Sequence, residues 1–236
     1  MKAIIVIPTL NEEKSIPVLI DKLSIFLKTF TVLFVDDNSS DETQSRIKKS
    51  KKKYKNIKYI FKTNNFGIGN AIKDGIEFAY KHGYDMCITM DADGTHNPKY
   101  IPSLLRHVKK NSIVITNRFL SKNSINDWPF SRRLLTTIRY HLINFTLDIC
   151  YDTSGAFRCY DLKIVKKKDI LAAIDNGYSF FWESIFLLHI KKYKIYEISV
   201  DLPFRKLGSS KMKISDILSS LVFLLYYFLK RLFLKY

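Results

Sequence analysis

The amino-acid sequence predicts an α/β fold, in which helices cover both faces of a mostly parallel central sheet. Short, almost wholly apolar runs alternate along the chain with longer segments whose apolar residues recur at helical spacing. The apolar runs lack alternation of apolar and polar residues, which is typical of strands buried on both faces. Short connections between strands and helices favour parallel strands with right-handed crossovers.

The elements follow one another in a regular order through the first half of the chain. The predicted strands are 3–8, 31–37, 57–61, 86–90 and 112–118. The predicted helices are 11–27, a segment that begins at 39 with Ser and Asp near its start, 67–80, and 97–108 with Pro98 in its first turn. The second half is less regular: helices are predicted at 130–149, 161–174 and 178–189, and a strand at 194–204.

Length and cysteine content limit the class of protein. The 236 residues suffice for one large domain, or for one domain and a tail. Three cysteines without paired spacing indicate a reducing compartment and argue against a disulfide framework or a zinc site. The apolar run 3–7 is too short for a secretory signal and stops at Pro8. We therefore expect no signal peptide, and a location in the cytoplasm or on the cytoplasmic face of a membrane.

The formal net charge of +17 can be interpreted in several ways. The partner could be a nucleic acid, an anionic membrane surface or a phosphorylated small molecule. Alternatively, much of the charge belongs to solvated helix faces such as the lysine-rich segment 48–55. The lysines are scattered rather than interleaved with aromatic residues, and no zinc knuckle or RNA-binding signature occurs, so we expect no nucleic-acid partner.

Polar residues follow three of the predicted strands. They occupy 8–12, 36–38 and 91–93, where the carboxyl ends of parallel strands would meet and where such sheets bind ligands. Asp91 and Asp93 are one residue apart, so a turn can direct both carboxylates at one centre. Such a pair suits Mg²⁺ or Mn²⁺ bound together with phosphate oxygens. The alternative is that both aspartates merely cap the next helix.

The motifs, in their order along the chain, resemble those of a known enzyme family. They are IPTLNEE (7–13), VDDNSSDET (35–43), NFGIGNAIKDG (65–75), MDADGTHNPKYIP (90–102), TNRF (116–119), WPFSRRLL (128–135), DTSGAFRCY (152–160), GYSFFWE (177–183) and FRKLGSSK (204–211). Together they resemble the family-2 glycosyltransferases of GT-A fold, whose sheet is Rossmann-like. Within that family they look most like the polyprenyl-phosphate sugar transferases typified by dolichyl-phosphate mannosyltransferase. The resemblance covers residues 1–213, and Trp-x-x-x-Arg at 128–132 with Arg-x-x-Gly-x-Ser-Lys at 205–211 is its most specific part.

The resemblance implies a role for each matching position. Residues expected to hold the base and ribose of a nucleotide sugar are Pro8, Leu10, Glu12, Val35 and Asp37. Residues expected to hold its diphosphate through Mg²⁺ or Mn²⁺ are Asp91, Ala92 and Asp93. Cations expected to contact the phosphates of donor and acceptor are Arg118, Arg205 and Lys211, with Arg132 on the acceptor phosphate. Those expected to take part in catalysis are Asp93, Arg118, Arg132, Arg205 and Lys211. Leu10 stands where the family usually has an aromatic residue.

The resemblance also implies the reaction. A polyprenyl phosphate oxygen, dolichyl or undecaprenyl, would attack the anomeric carbon of GDP-mannose or UDP-glucose with inversion. A phosphate monoester has a second pKa near ~6, so this nucleophile is already anionic and needs no strong base. Gln44 is the only glutamine, which excludes the Gln-x-x-Arg-Trp motif of processive synthases and favours one sugar per catalytic event.

Three other functions stay open. A same-fold enzyme acting on a sugar or protein hydroxyl would need a base, and Glu183 or Asp152 would have to serve. A basic nucleic-acid-binding protein and a catalytically inactive subunit are the remaining alternatives. The acids and cations named above argue against the inactive subunit.

The tail 214–236 differs in kind from the domain 1–213. Residues 217–229 are almost all apolar and precede Lys230 and Arg231, yet a membrane span needs about 20 residues. We expect a helix in the membrane interface with its tyrosines and basic residues at the headgroups: Tyr226, Tyr227, Lys230, Arg231 and Lys235. The alternatives are a last core helix or an oligomer contact. A small membrane-protein partner or a homo-oligomer is also compatible with such a tail.

Overall fold

A seven-stranded sheet forms the centre of the protein. The computed structural model describes residues 1–122, 124–205 and 211–234, with side chains up to residue 232. The strands are β1 (Ala3–Thr9), β2 (Thr31–Asp36), β3 (Ile57–Phe61), β4 (Met86–Thr89), β5 (Ile113–Asn117), β6 (Arg158–Asp161) and β7 (Ile195–Ser199). Their order is β3-β2-β1-β4-β6-β5-β7. Only β6 runs antiparallel to its neighbours, β4 and β5, so the predicted mostly parallel sheet is confirmed.

Helices connect the strands and cover the sheet. They are α1 (Ser15–Leu23), α2 (Thr43–Lys53), α3 (Ile68–Lys81), α4 (Ile101–Val108), α5 (Phe130–Leu147), α6 (Lys167–Ile170), α7 (Phe180–Ile190) and α8 (Ile214–Leu234). Short 3-10 turns at Phe26–Lys28 and Pro98–Tyr100 adjoin α1 and α4.

The strand β1 shows why the apolar runs form a central sheet. All seven of its residues are buried. Ile5 and Ile7 belong to the core that α1 and α4 cover, whereas Ile4 and Val6 belong to the core that α3 and α7 cover. Successive side chains of a strand point to opposite faces, so a strand between two helical layers must be apolar on both.

The prediction of a helix at 161–174 was wrong. Residues Arg158–Asp161 form β6, which lies between β4 and β5, and only Lys167–Ile170 is helical. A buried arginine makes this short strand hard to recognise. The Arg158 guanidinium donates to the carbonyls of Gly155, Thr153 and Phe181 and to two hydroxyls, so its hydrogen bonds within the described chain go to neutral acceptors.

The C-terminal helix α8 packs on the domain along one face only. Leu224 and Tyr227 are buried against α5 and α7, and Trp182 Nε1 donates to Ser220 Oγ at 3.0 Å. Other apolar side chains of α8 are exposed: Ile214, Ile217, Leu218, Leu221, Val222, Leu225, Leu229 and Leu232. Among the helices of the described ranges, none has both the length and the apolarity needed to cross a bilayer.

Candidate active site

The loop after β2 is held by a buried carboxylate at the carboxyl edge of the sheet. Asp36 accepts hydrogen bonds from Thr9 Oγ1 at 2.8 Å, Ser39 Oγ at 2.6 Å and Gln44 Nε2 at 2.7 Å. It thereby ties the end of β1 to the start of α2. This rigid junction positions the next residue, Asp37.

Asp37 has one satisfied and one unsatisfied oxygen. Its Oδ2 accepts the backbone N–H of Gly67 at 2.7 Å. Its Oδ1 is buried and accepts no hydrogen bond from the described residues. Burial raises the pKa of this carboxyl, and hydrogen bonding to Gly67 only partly opposes the shift. An unpaired buried acceptor is unusual, and a ligand that donates an N–H or O–H would satisfy it.

Gly67 is required where it stands. Its φ is 122°, and a Cβ there would lie 2.4 Å from the Asn176 carbonyl oxygen. Only glycine adopts this backbone conformation readily and leaves room for the neighbouring chain. The Asp37 contact therefore depends on a close approach of the segments before α3 and before α7.

Several predicted nucleotide-binding positions bury their side chains. Pro8 lies opposite Val35 in the β1–β2 register, and both are buried, as is Ala92. These positions can present backbone, rather than side chain, to a ligand. Leu10 is half-buried just beyond the end of β1.

The turn after β4 carries the acid pair. Gly94, with φ of 80°, allows the chain to reverse, and Asp93 Oδ1 accepts from Thr95 N at 3.0 Å and Thr95 Oγ1 at 2.7 Å. The carboxylate of Asp91 accepts no hydrogen bond from any residue the structure describes. Burial, and then the negative charge of Asp93, raise the pKa of Asp91 well above its ordinary value.

His96 supports this turn as a neutral side chain. It is buried and stacks on Phe157 with ring centroids 5.1 Å apart. Its Nδ1 accepts the backbone N–H of Asp91 at 2.9 Å, so the proton lies on Nε2. Burial lowers the pKa of His96, which keeps the ring uncharged at neutral pH.

Arg205 joins the ends of β1 and β4. Its guanidinium donates to Glu12 Oε1 at 2.6 Å and lies 3.6 Å from Asp93 Oδ2. Lys211 lines a shallow hollow at the same edge, beside Glu12 and Asp41. Residues 206–210 of the predicted Arg-x-x-Gly-x-Ser-Lys motif lie outside the described residues.

A second group of cations lies on the other side of the acid pair. Arg118, just after β5, donates from Nε to Asp152 Oδ2 at 2.7 Å, and both side chains are buried. Burial alone would raise the pKa of Asp152, but the charge and hydrogen bonds of Arg118 outweigh it and leave the pKa lowered. Asp152 is therefore ionised and committed to this ion pair.

Arg132 is held by aromatic rings. Its guanidinium lies 4.6 Å from the ring centroid of Trp128 and 5.2 Å from that of Phe204. Trp128 is fixed in turn by a hydrogen bond from Nε1 to the Leu202 carbonyl at 2.9 Å. The rings orient Arg132, which donates no hydrogen bond to another described residue and keeps its donors for a ligand.

Sequence reasoning missed Arg139, which follows Arg132 by two turns of α5. Burial, followed by the positive charge of Arg118, lowers its pKa to about 10. A lone arginine on a helix is ordinarily a solvated side chain, so only the seven-residue spacing from Arg132 could have drawn attention to it.

Glu183 occupies a structural position in α7. It is completely buried and accepts hydrogen bonds from the backbone N–H groups of Ile174 and Asp175 and, at 2.5 Å, from the Tyr227 hydroxyl. These contacts connect α8 to the segment that faces Gly67.

Comparisons with known proteins show the family to which the chain belongs. Residues 4–170 match the family model described as Glycosyl transferase family 2. The undecaprenyl-phosphate mannosyltransferase of Micrococcus luteus is 30% identical over 214 residues, which are 90% of this chain and 88% of that protein. The polyprenol monophosphomannose synthase of Mycolicibacterium smegmatis is 26% identical over 92% of this chain and 83% of its own length. The dolichol-phosphate mannosyltransferase of Pyrococcus furiosus is 28% identical over 90% of this chain and 60% of its own length.

Solved structures show the same fold. Glucosyl-3-phosphoglycerate synthase from Mycobacterium tuberculosis, in complex with phosphoglyceric acid, matches with a TM-score of 0.64 and 16% identity over 98% of this chain and 79% of that chain. The same enzyme with Mn²⁺, uridine diphosphate and glucosyl-3-phosphoglycerate matches with a TM-score of 0.61 and 17% identity over 97% and 78%. The predicted GT-A fold is thus confirmed, and the protein is a glycosyltransferase that belongs to glycosyl transferase family 2.

Proposed function

We propose that the protein transfers one sugar, favouring mannose from GDP-mannose over glucose from UDP-glucose, to a polyprenyl phosphate, with inversion and with a divalent metal. The observation that carries this proposal is that the positive charges of both Arg205 and Arg118 act on Asp91, in a site where both candidate bases are committed elsewhere. The relatives from Micrococcus and Mycolicibacterium are named for activities on the same class of substrate, which supports the proposal.

The donor side fits a nucleotide diphosphate. Asp37 Oδ1 offers a buried acceptor to the nucleoside, and Arg205 and Lys211 offer positive charge to the diphosphate. The side chains of Asp37 and Glu12 approach this edge from two neighbouring strands. The backbone at Pro8, Val35 and Ala92 would form the remaining walls of the nucleotide-binding site.

Asp91 and Asp93 fit a divalent cation shared with the donor. Two hard oxygen ligands close together, one of them without a hydrogen bond from the described chain, suit Mg²⁺ or Mn²⁺. No third acid, histidine or cysteine joins them within the described ranges, so phosphate oxygens and water would complete the coordination. When bound, the metal would neutralise charge on the leaving diphosphate. A solved structure of the same fold is described with Mn²⁺ and uridine diphosphate.

The acceptor side fits a phosphate nucleophile better than a hydroxyl. Arg118 and Arg132 would bring the anionic acceptor up to the anionic donor, and an anionic phosphate oxygen needs no proton removed. A hydroxyl acceptor would require a base. Asp152 is ion-paired with Arg118, and Glu183 is completely buried with three hydrogen bonds, so neither carboxylate is positioned to take a proton from a substrate.

A polyprenyl acceptor must be met at a membrane, and α8 offers a surface for it. The exposed apolar residues of α8 adjoin Lys230 and Arg231, the composition of a helix lying in a membrane interface. The helix that carries Arg132, α5, also exposes apolar residues, such as Leu135, Ile138 and Phe145, which could contact the same membrane surface. We therefore place the protein at the cytoplasmic face of a membrane, as a peripheral enzyme.

The proposal is tested by sugar transfer to lipid. Purified protein is incubated with polyprenyl phosphate in vesicles, Mg²⁺ or Mn²⁺, and radiolabelled GDP-mannose or UDP-glucose. We expect mild-acid-labile radiolabel in the organic phase, lost with EDTA and with Asp93→Asn. The acceptor classes are separated by where the radiolabel goes, because Asp152 and Glu183 make structural contacts whose loss would impair the enzyme with either acceptor. Radiolabel confined to a water-soluble sugar or to protein would overturn the lipid acceptor.

A further inference from the structure

Arg139 lies on the face of α5 that is turned toward the protein. The buried residues of this helix include Thr136, Ile143 and Leu147, which recur at intervals of seven and four. Arg132 lies four residues before Thr136, and Arg139 lies three residues after it. Residues at these spacings share one face of a helix, so all of them form one stripe along α5. Arg139 is half-buried within it, whereas Leu134 and Phe145, which lie on a different side of the helix, are exposed.

The surroundings of Arg139 hold more positive than negative charge. The charged groups that act on it are Arg118, Asp152 and Arg132. Arg118 already pairs with Asp152 through a 2.7 Å hydrogen bond. Glu197, which lies beside this pair, accepts hydrogen bonds from the Asp152 backbone N–H and from Asn117 Nδ2. Arg132 and Arg139 are therefore left without a carboxylate partner among the described residues.

An arginine that is partly withdrawn from water and unpaired requires an explanation. Arg139 donates no hydrogen bond and forms no ion pair with any described residue, although a guanidinium carries five donors. Buried charges in proteins are ordinarily paired or hydrogen-bonded, because desolvation is otherwise unfavourable. The lowered pKa of Arg139 has the same cause, since burial and two neighbouring arginines disfavour its charge. An anion between Arg132 and Arg139 would accept hydrogen bonds from the Arg139 guanidinium and would offset the repulsion between the arginines.

From this geometry we infer that Arg139 binds the phosphate of the acceptor together with Arg132. The inference rests on the proposed function, and it adds a residue to the acceptor site that the motifs do not contain. Arg205 and the acid pair belong to the donor side, so the unpaired arginines of α5 are available to a second anion. The planar guanidinium of Arg139 can bind phosphate oxygens bidentately, which lysine cannot.

The test compares Arg139→Met and Arg139→Lys with the control Arg133→Met. Arg133 is the neighbouring arginine of α5, and its guanidinium lies over the Phe130 ring, away from the stripe of Arg132 and Arg139. Steady-state kinetics with a short-chain prenyl phosphate should show KM for the acceptor raised about tenfold or more in Arg139→Met, which corresponds to about 1.4 kcal/mol. KM for the nucleotide sugar should stay unchanged. Arg139→Lys should be intermediate, and Arg133→Met should match the wild type.

A measurement without donor separates binding from a structural role. Inorganic phosphate and the short-chain prenyl phosphate are titrated against each protein, and the unfolding temperature is followed. Phosphate should stabilise the wild type and Arg133→Met more than Arg139→Met, while the ligand-free Arg139→Met should be as stable as the wild type or more so. A larger effect of prenyl phosphate than of inorganic phosphate would indicate that the lipid chain adds to recognition.

The two possible failures differ. Arg139→Met with wild-type acceptor KM and wild-type phosphate stabilisation would overturn this inference and leave the proposed function standing. Wild-type protein that transfers no sugar to any prenyl phosphate would overturn the proposed function. In that case equal phosphate stabilisation of the wild type and Arg139→Met would also overturn the role of Arg139.

Discussion

Asp91 carries a negative charge in a place where the protein alone does not favour it. Its carboxylate accepts no hydrogen bond from the described residues, and burial and Asp93 raise its pKa. A carboxyl whose pKa is raised on folding destabilises the folded state at every pH above its ordinary value, because the charged form is the less favoured one. The acid pair is thus arranged to bind a cation, and this arrangement lowers the stability of the folded protein without metal.

We predict that Asp91→Asn is at least as stable as the wild type at pH 7 without metal. The gain should be at most about 1 kcal/mol, or about 2–4 °C in unfolding temperature for a chain of this size, since water partly screens the repulsion. The difference should shrink as the pH falls from 7 toward 4, because the carboxyl is then protonated in the folded protein and, near pH 4, in the unfolded protein as well. Thermal unfolding at several pH values measures this.

The same variant should lose metal-dependent binding of the donor, as measured by calorimetry with and without EDTA. Asp85→Asn serves as the control, because Asp85 is paired with Lys163 at the opposite end of β4. A variant that is clearly less stable than the wild type would contradict the assignment of Asp91 as an unpaired acid.

The sequence allowed the prediction of the acids but not of their contacts. Asp91 and Asp93 follow an apolar strand, and local pattern suffices to mark them. The contact of Arg205 with Glu12 joins residues 193 positions apart, and nothing local encodes it. Arg139 was missed for a related reason, because its lack of a carboxylate partner among the described residues is a property of the folded protein.

At the scale of elements, strands made only of apolar residues were predicted more reliably than segments that mix apolar and charged residues. β1 was expected at 3–8 and found at Ala3–Thr9, because residues 3–8 are all apolar and the whole strand is buried. β6 was missed because only its two central residues, Cys159 and Tyr160, are apolar, while Arg158 and Asp161 form its ends. Its arginine is accommodated by five neutral acceptors from loops and from α7, which pattern reading does not reveal.

The hydrogen bond between Tyr227 and Glu183 fastens α8 to α7. We predict that Tyr227→Phe destabilises the protein by about 1–3 kcal/mol, because it removes a donor from a completely buried carboxylate. Tyr226→Phe is the matched control, since Tyr226 is 47% exposed on the same helix. Chemical unfolding of both variants measures the difference.

Equal stability of the two tyrosine variants would mean that Glu183 does not depend on α8. Donor binding supplies a second readout, because Glu183 also holds the segment that approaches Gly67. We expect weaker donor binding in Tyr227→Phe only.

At the scale of the whole molecule, positive charge and exposed apolar helix faces favour an anionic lipid surface. The net charge is +17, and α8 exposes apolar residues along most of its length. Electrostatic attraction would concentrate the protein at such a surface, and apolar insertion would hold it there.

We predict that the protein sediments with vesicles containing phosphatidylglycerol and much less with neutral vesicles, and that high salt weakens the binding. Val222→Glu should reduce it, because a charge on the exposed face of α8 opposes insertion. Ile25→Glu is the matched control, since Val222 and Ile25 are both 68% exposed and Ile25 lies beyond α1. Equal loss in both variants would assign the binding to net charge alone.

The contacts of Arg205 with Glu12 and Asp93 balance positive and negative charge within the donor site itself. A metal ion arriving by itself must displace a positive group that is already on Asp93, so its own affinity is reduced. A nucleotide diphosphate offers Arg205 a replacement anion, so each of the two ligands lowers the free energy required to bind the other. Thermodynamic reciprocity then requires that metal and donor bind with positive cooperativity, and the strength of that coupling is set by one arginine.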